Sequence, residues 1–254
     1  MNRYLRWLIY DFQFMTRIPI NISVPLEKED PAEAMIFFPV IALVIGALSL
    51  GAAAAMNALT ENALAAALAA VVMSTYLTGG LHLDGLSDVC DGLFSGRSRE
   101  RVLEIMHDSR MGTFGGVGLF FALNAKMVLL NAILSRDLNT GLMAALAAPL
   151  AGRAGILVIS KIGQSARAGM GRCYVEGMNS RILWTGLLIT LLFATPALRL
   201  HALAALLIPA ALAFLLNRLF NRRLGGITGD CLGCTSELSE VCFLFYMALK
   251  WVVI

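Results

Sequence analysis

Seven predominantly apolar runs divide this chain, at residues 35–56, 63–81, 112–134, 140–162, 182–198, 202–217 and 241–254. A helix needs roughly 20 apolar residues to cross the hydrocarbon core of a bilayer, and several of these runs reach that length. Inside lipid the backbone must satisfy its own hydrogen bonds, so such runs form helices. Of the 254 residues, 58% are hydrophobic and only 15% charged, more apolar surface than a soluble domain of this size can bury. The expectation is an all-α fold: a polytopic membrane bundle of about seven transmembrane helices, forming one domain over residues 1–254.

Residues 1–14 (MNRYLRWLIYDFQF) read as an amphipathic interfacial helix with no cleavable signal peptide expected. Tyr4, Trp7 and Tyr10 suit the headgroup level, and Arg3 and Arg6 suit anionic lipid. A proline-broken polar link at 16–31 completes this N-terminal region, 1–34.

The arginines and lysines fall unevenly between the loops. Fifteen lie in the N-terminal region and in the stretches around 78–116, 160–181 and 218–240; the opposite loops hold only Arg136 and Arg199. By the positive-inside rule the N-terminus and these loops face the cytoplasm, making this a multi-pass protein of the cytoplasmic (inner) membrane with its chemistry on one side. That one-sidedness weighs against a transporter. A net charge of +3 is too small to suggest nucleic acid.

The polar segment at 78–116 holds six of the seventeen acidic residues: Asp84, Asp88, Asp91, Glu100, Glu104 and Asp108. On a helix, offsets of four and seven put Asp84, Asp88 and Asp91 on one face, and Glu104 and Asp108 are again four apart. Carboxylates that close raise one another's pKa unless a cation compensates them. An all-oxygen set suits a hard ion such as Mg²⁺, which also favours phosphate oxygens. Arg97, Arg99, Arg101 and Arg110 stand among the acids as partners for phosphate charge, and Gly112-Thr-Phe-Gly-Gly116 could offer backbone N–H groups at a helix start.

The loop at 218–240 is a second candidate. It carries Arg222 and Arg223, then Gly-Gly-Ile-Thr-Gly-Asp ending at Asp230, which is expected near the metal or the reacting atoms. Beyond it, Thr235 or Ser236 would cap a helix with Glu237 and Glu240 in its first turn. Lys126 and Arg153 lie inside apolar runs and either snorkel to the interface or reach a polar cavity. Cys231 and Cys234 make a lone CxxC without the further ligands zinc needs, so the five cysteines read as apolar thiols in a reducing compartment. Carboxylates, arginines and an ion, with no serine or cysteine triad, suit transfer of a phosphate-linked group to an alcohol.

The runs TGGLHLDGLSDVCDGL at 78–93, LEIMHDSRMGTFGGVGL at 103–119 and RRLGGITGDCLG at 222–233 resemble the cobalamin synthase family, the adenosylcobinamide-GDP ribazoletransferases. The likeness extends over nearly the whole chain, including FMTRIPI at 14–20 and FFPVIALVIG at 37–46. It implies an Mg²⁺-dependent transferase in which α-ribazole or its 5′-phosphate displaces GMP from adenosylcobinamide-GDP. The two substrates and membrane lipid would be its partners, with a homo-oligomer also open.

Carried over residue by residue, the resemblance makes Asp84, Asp88, Asp91, Glu104 and Asp108 the metal ligands. Glu104, Asp108 and Asp230 become the catalytic carboxylates, Glu104 or Asp108 serving as base. Arg110, Arg222 and Arg223 would meet the phosphates, and His107 receives no catalytic role. A fainter likeness is to the CDP-alcohol phosphatidyltransferases, whose DxxDGxxAR…GxxxDxxxD pattern is echoed by Asp88-Val-Cys-Asp91-Gly92 and by Glu104 to Asp108. The Ala-Arg pair is absent and Glu replaces an Asp, so a phospholipid-synthesising enzyme is the alternative activity and a cation transporter the more distant one.

Overall fold

The structure, a computed structural model, describes residues 2–27, 29–249 and 252. Met1, Lys28 and the final residues of the seventh expected run (250, 251, 253 and 254) lie outside that set. Among the described residues there are twelve α-helices and no β-strand.

The N-terminal helix α1 (Arg3–Met15) is capped by Asn2, whose side-chain oxygen accepts from Tyr4 N at 3.0 Å. It is amphipathic as expected, but Trp7 does not face outward. Its indole N–H donates to Asp30 Oδ1 at 2.6 Å, beneath α2 (Asp30–Ala34), because a buried indole needs an acceptor and Asp30 is the one at hand. Tyr10 likewise turns inward to Tyr174, leaving Tyr4 as the exposed aromatic.

A short 3₁₀ turn leads into α3 (Phe38–Thr60), which pairs with α4 (Ala63–Thr78) through Ala66, Ala67 and Ala70. These small side chains let the two backbones approach, as the alanine-rich pattern implied. Gly79 and Gly80 follow, both with positive φ (60° and 75°), and turn the chain by 90° into α5 (Leu81–Phe94). Glycine is the residue that takes two successive left-handed positions without strain. The acid-bearing segment is therefore a helix lying across the line of α4, and its three aspartates keep it out of the lipid-crossing part of the bundle.

Next come α6 (Arg99–Ile105), α7 (Thr113–Arg136) and α8 (Leu138–Ile162), the last buried along almost its whole length among α3, α7, α10, α11 and α12. The short α9 (Met170–Gly177) precedes α10 (Ser180–Leu198) and α11 (Ala204–Leu224), and α12 (Gly229–Met247) closes the described bundle. Outward-facing Phe120, Phe121, Trp184, Leu188 and Leu192 form part of an apolar belt suited to lipid chains.

Among the described residues, four stretches are long and apolar enough to cross a membrane: Asp30–Thr60, Thr113–Arg136, Leu138–Ile162 and Ser180–Leu224. The bent pair Ala63–Thr78 and Leu81–Phe94 adds a fifth only if the bend is taken as one span. By this measure the expected count of about seven is not confirmed. Part of the difference lies in Ser180–Leu224, which is a hairpin. A Cβ at Gly186 on α10 would meet Leu157 on α8, while Asn217 on α11 donates to the Ile162 carbonyl at 3.3 Å, so the two helices run back along the same neighbour. The rest lies in the last run, which is not a separate span from 241 onward: α12 starts at Gly229 and carries Asp230, Glu237 and Glu240.

That helix is capped by Thr228, whose hydroxyl accepts from Cys231 N at 3.4 Å, and not by Thr235 or Ser236, which are buried in its interior. Glu237 and Glu240 consequently face the core. There Lys126 Nζ lies 2.6 Å from Glu237 Oε2 and 2.7 Å from Glu240 Oε2, and Arg153 Nη1 is 2.8 Å from Glu240 Oε1. Lys126 and Arg153 neither snorkel nor reach the open cavity. Two cations and two anions neutralise one another inside the bundle, the arrangement that buried charge requires.

Candidate active site

Five separate parts of the chain meet at one end of the bundle around a cavity of about 810 Å³. The end of α1 and the link after it contribute Gln13, Phe14, Thr16 and Arg17; α5 contributes Asp84, Ser87 and Asp88; the link between α6 and α7 contributes His107 and Asp108; Arg167 and Asp230 close the far side. The crossing of α5 and α12 decides the meeting of Asp84 with Asp230. A Cβ on Gly85 would stand 2.7 Å from the Asp230 carbonyl, and one on Gly233 would stand 3.0 Å from the His82 carbonyl, so the two backbones touch where glycines face each other.

Asp84 and Asp88, one turn apart, both face the cavity as their spacing implied. Asp88 is half-buried, and its pKa is pushed up to about 7 by burial first and then by the negative charges of Asp84, Asp230 and Asp91. Arg167 opposes that rise. Asp230 is also raised, chiefly by burial, while Arg167 Nη2 at 3.2 Å and the Thr228 hydroxyl at 3.1 Å hold it down.

Asp91 does not join them. Its Oδ2 accepts from Gly112 N at 2.7 Å and its Oδ1 from Gly115 N at 2.8 Å, so it caps the first turn of α7 from another helix. The donors that Gly112 to Gly116 could have offered a phosphate and the carboxylate expected on the metal thus satisfy each other. Glu104 is outside the cavity too, with 63% of its side chain exposed and Arg101 at 2.6 Å. The helical spacing of Glu104 and Asp108 fails because α6 ends at Ile105, before Asp108 is reached.

Asp108 does line the cavity. Arg110 donates to it from its backbone and its guanidinium, at 2.6 to 3.2 Å, and these bonds hold its pKa at about 2. So low a basicity makes it a poor proton acceptor. Arg110 is 87% exposed and meets the cavity only through Asp108, while Arg222 and Arg223 sit at the end of α11, away from the lining; Arg223 donates to the Leu93 carbonyl at 3.0 Å.

The arginines that do line the cavity are Arg17 and Arg167, and Arg167 pairs with Asp230. Arg17 N donates to the Leu77 carbonyl at 2.7 Å, and its guanidinium lies over Gly79, where a Cβ would come within 2.1 Å of Nε. Arg167 stands on the link after α8, which is pinned to the segment before α12 by Ala166 N to Ile227 O at 2.9 Å and Ile227 N to Gln164 O at 2.7 Å. Its Nη1 also donates to the Leu103 carbonyl at 3.0 Å. In sequence both appeared only as positive charges in polar links; the glycines around Arg167, at 163, 169 and 171, were the single local signal.

Among the described residues, no three His, Cys, Asp or Glu side chains form a ready-made metal cluster. Hard oxygen donors at Asp84, Asp108 and Asp230 nonetheless fit Mg²⁺, which typically takes one or two carboxylates and completes its shell with water and substrate phosphate. Cys231 and Cys234 are buried free thiols remote from such chemistry in kind.

A family model described as cobalamin-5-phosphate synthase matches residues 8–248. The adenosylcobinamide-GDP ribazoletransferase of Citrobacter koseri is 37% identical over 94% of this chain and 97% of its own length. Those of Klebsiella pneumoniae and Escherichia coli K12 are each 38% identical over 91% of this chain and 94% of theirs. No solved structure matches. The carboxylates around the cavity and Arg17 come from the motifs that carry the likeness, and the match runs from α1 to α12: the chain belongs to the cobalamin-5-phosphate synthase family.

Proposed function

We propose that this protein is an adenosylcobinamide-GDP ribazoletransferase, joining α-ribazole or its 5′-phosphate to adenosylcobinamide-GDP with release of GMP. The observation that carries the reading is the gathering of Asp84, Asp88, Asp108 and Asp230 with Arg17 and Arg167 around one cavity at one end of an apolar bundle. Relatives bearing that name cover almost the full chain.

In the reaction a ribose hydroxyl of the nucleoside attacks the phosphorus on the cobinamide side. A new P–O bond forms, the P–O bond to GMP breaks, and GMP leaves with the electron pair. Asp88, with a pKa near neutrality, takes the hydroxyl proton, since a base works best when its pKa lies close to the operating pH. Arg17 and Arg167 neutralise charge on the diphosphate and on the departing GMP. Asp84 and Asp230, with Asp108 at the rim, are the residues that would hold Mg²⁺. When bound, that ion would supply Lewis-acid neutralisation of the phosphate oxygens.

The excess of Lys and Arg in the site-bearing loops supports a cytoplasmic active site in the inner membrane. The test is GMP release by purified protein in lipid nanodiscs. Release that requires both adenosylcobinamide-GDP and α-ribazole, depends on Mg²⁺ and disappears in Asp84→Asn supports the reading. Hydrolysis without nucleoside, or CMP release from a CDP-alcohol, overturns it.

A further inference from the structure

The arginines that the catalytic cavity leaves out gather elsewhere. Arg222 and Arg223 end α11, and Arg97 and Arg99 stand where the chain enters α6; all four are exposed, as is Arg218 one turn earlier on α11. Two contacts bring that entry and the helix end together. Arg223 Nη2 donates to the Leu93 carbonyl at the end of α5 at 3.0 Å. The Arg99 guanidinium lies over Gly225, the left-handed cap of α11 (φ 72°), where a Cβ would fall on it, so glycine is what admits the approach. Arg101 and Arg110 are neutralised by Glu104 and Asp108, but among the described residues no carboxylate pairs with Arg97, Arg99, Arg218, Arg222 or Arg223. Glu100, exposed beside Arg99, offsets one of these charges and leaves the rest. Like charges held together repel, and an anion among them removes that cost.

The surface that runs up to these charges is apolar. On α11, Leu215, Arg218, Leu219 and Arg222 follow offsets of three, four and seven and so share one face, on which Leu215 and Leu219 are 63% and 42% exposed. That face belongs to a stretch apolar enough to cross a membrane, and it turns from leucine to arginine in the last turns of the helix. Next to Leu93, Phe94 stands exposed with its ring centroid 5.9 Å from that of Phe114. We propose that Arg97, Arg99, Arg218 and Arg222 hold the phosphate of an anionic phospholipid whose acyl chains lie along Leu215 and Leu219. Guanidinium forks match phosphate oxygens, and their methylene stems extend an apolar face up to the headgroup level. A lipid satisfies both halves of the surface at once. A soluble phosphate would meet only the arginines, and an acidic protein would have to cover a leucine face that lies at the depth of lipid chains. None of these arginines lines the catalytic cavity, so the bound lipid would brace the junction of α5, α6 and α11 without touching the reacting groups.

Mixed micelles test this with the full-length protein: native mass spectrometry compares retained phosphatidylglycerol with phosphatidylcholine, and unfolding midpoints are read as each lipid is added. The wild type should retain phosphatidylglycerol roughly 10-fold or more over phosphatidylcholine, with a midpoint that rises as the anionic lipid is added. The double variant R97Q/R222Q removes two guanidiniums that bond to nothing else among the described residues, so it should fold and lose most of that preference. Arg218→Gln alone should give a smaller loss. R172Q/R181Q takes the same amount of charge from two exposed ion pairs, with Glu176 and Glu33, and should keep the wild-type preference. Equal retention of the two lipids by the wild type overturns the proposal. An equal loss in the two double variants also overturns it, because the attraction would then be a diffuse surface charge and not a site. Displacement of phosphatidylglycerol by millimolar pyrophosphate would make the arginines a soluble-anion site and refute the lipid as occupant.

Discussion

Arg167 Nη2 reaches Asp230 Oδ2 at 3.2 Å across a gap of 63 residues, and the same guanidinium holds the Leu103 carbonyl. One side chain thus ties the link after α8 to α6 and to the start of α12 while facing the cavity. Arg167→Ala should lower kcat/KM roughly 100-fold or more, the usual effect of removing a donor aimed at developing phosphate charge. Arg167→Lys should recover little, because an ammonium cannot span both acceptors as the planar fork does. Combining Arg167→Ala with Asp230→Asn should cost less than the sum of the single effects; strict additivity in that double-mutant cycle would mean the two act separately.

Asp88 predicts the pH dependence. A carboxyl raised to about 7 is protonated below that value and unavailable as a base. Activity should therefore rise with pH to a plateau reached at or below about 7, because bound Mg²⁺ draws the carboxyl down from the value it has without the ion. The linkage runs the other way for stability: a raised acid favours the folded state when protonated, so the chain without Mg²⁺ should become less stable as pH rises from about 4 to 7. Added Mg²⁺ should offset that loss increasingly toward neutral pH. Thermal unfolding with and without the ion across this range, together with Asp88→Asn, which should flatten both profiles, provides the measurement.

Asp91 should behave as a structural cap. Replacing it by Ala removes both acceptors from the start of α7 and is expected to cost about 1–2 kcal/mol of stability. Mg²⁺ affinity should be unchanged, as measured by calorimetry; a large loss of affinity would restore Asp91 to the metal.

Glu104→Ala and Arg222→Ala should leave kcat and KM within about twofold of wild type, since both side chains lie outside the cavity lining and surface substitutions seldom exceed a few tenths of a kcal/mol. Asp108→Asn should instead affect substrate binding more than proton transfer. A flat pH profile in Asp108→Asn with Asp88 intact would show that the base is Asp108.

The buried cluster offers a test of charge balance. Lys126→Met leaves Glu237 and Glu240 with only Arg153 and should destabilise by about 3–5 kcal/mol. Adding Glu237→Gln restores neutrality around the Arg153–Glu240 pair and should recover most of the loss in unfolding experiments.

Local pattern was enough to specify a helical membrane bundle and to single out Asp84, Asp88, Asp108 and Asp230, which line one cavity, because hydropathy and helical periodicity are properties of neighbouring residues. The same rule went astray at Glu104, where the helix ends before the period completes, and at Asp91, whose partners lie 21 and 24 residues onward in another helix. The span count faltered for a related reason: Asp230, Glu237 and Glu240 make α12 too polar for a lipid-crossing segment by composition, yet its charges are neutralised by Lys126 and Arg153 from other helices. Arg17 and Arg167 became site residues only through the 90° turn at Gly79–Gly80 and the contact of α5 with α12. Which charge meets which is decided by distances between helices, and those are set by packing at small residues far apart in the chain.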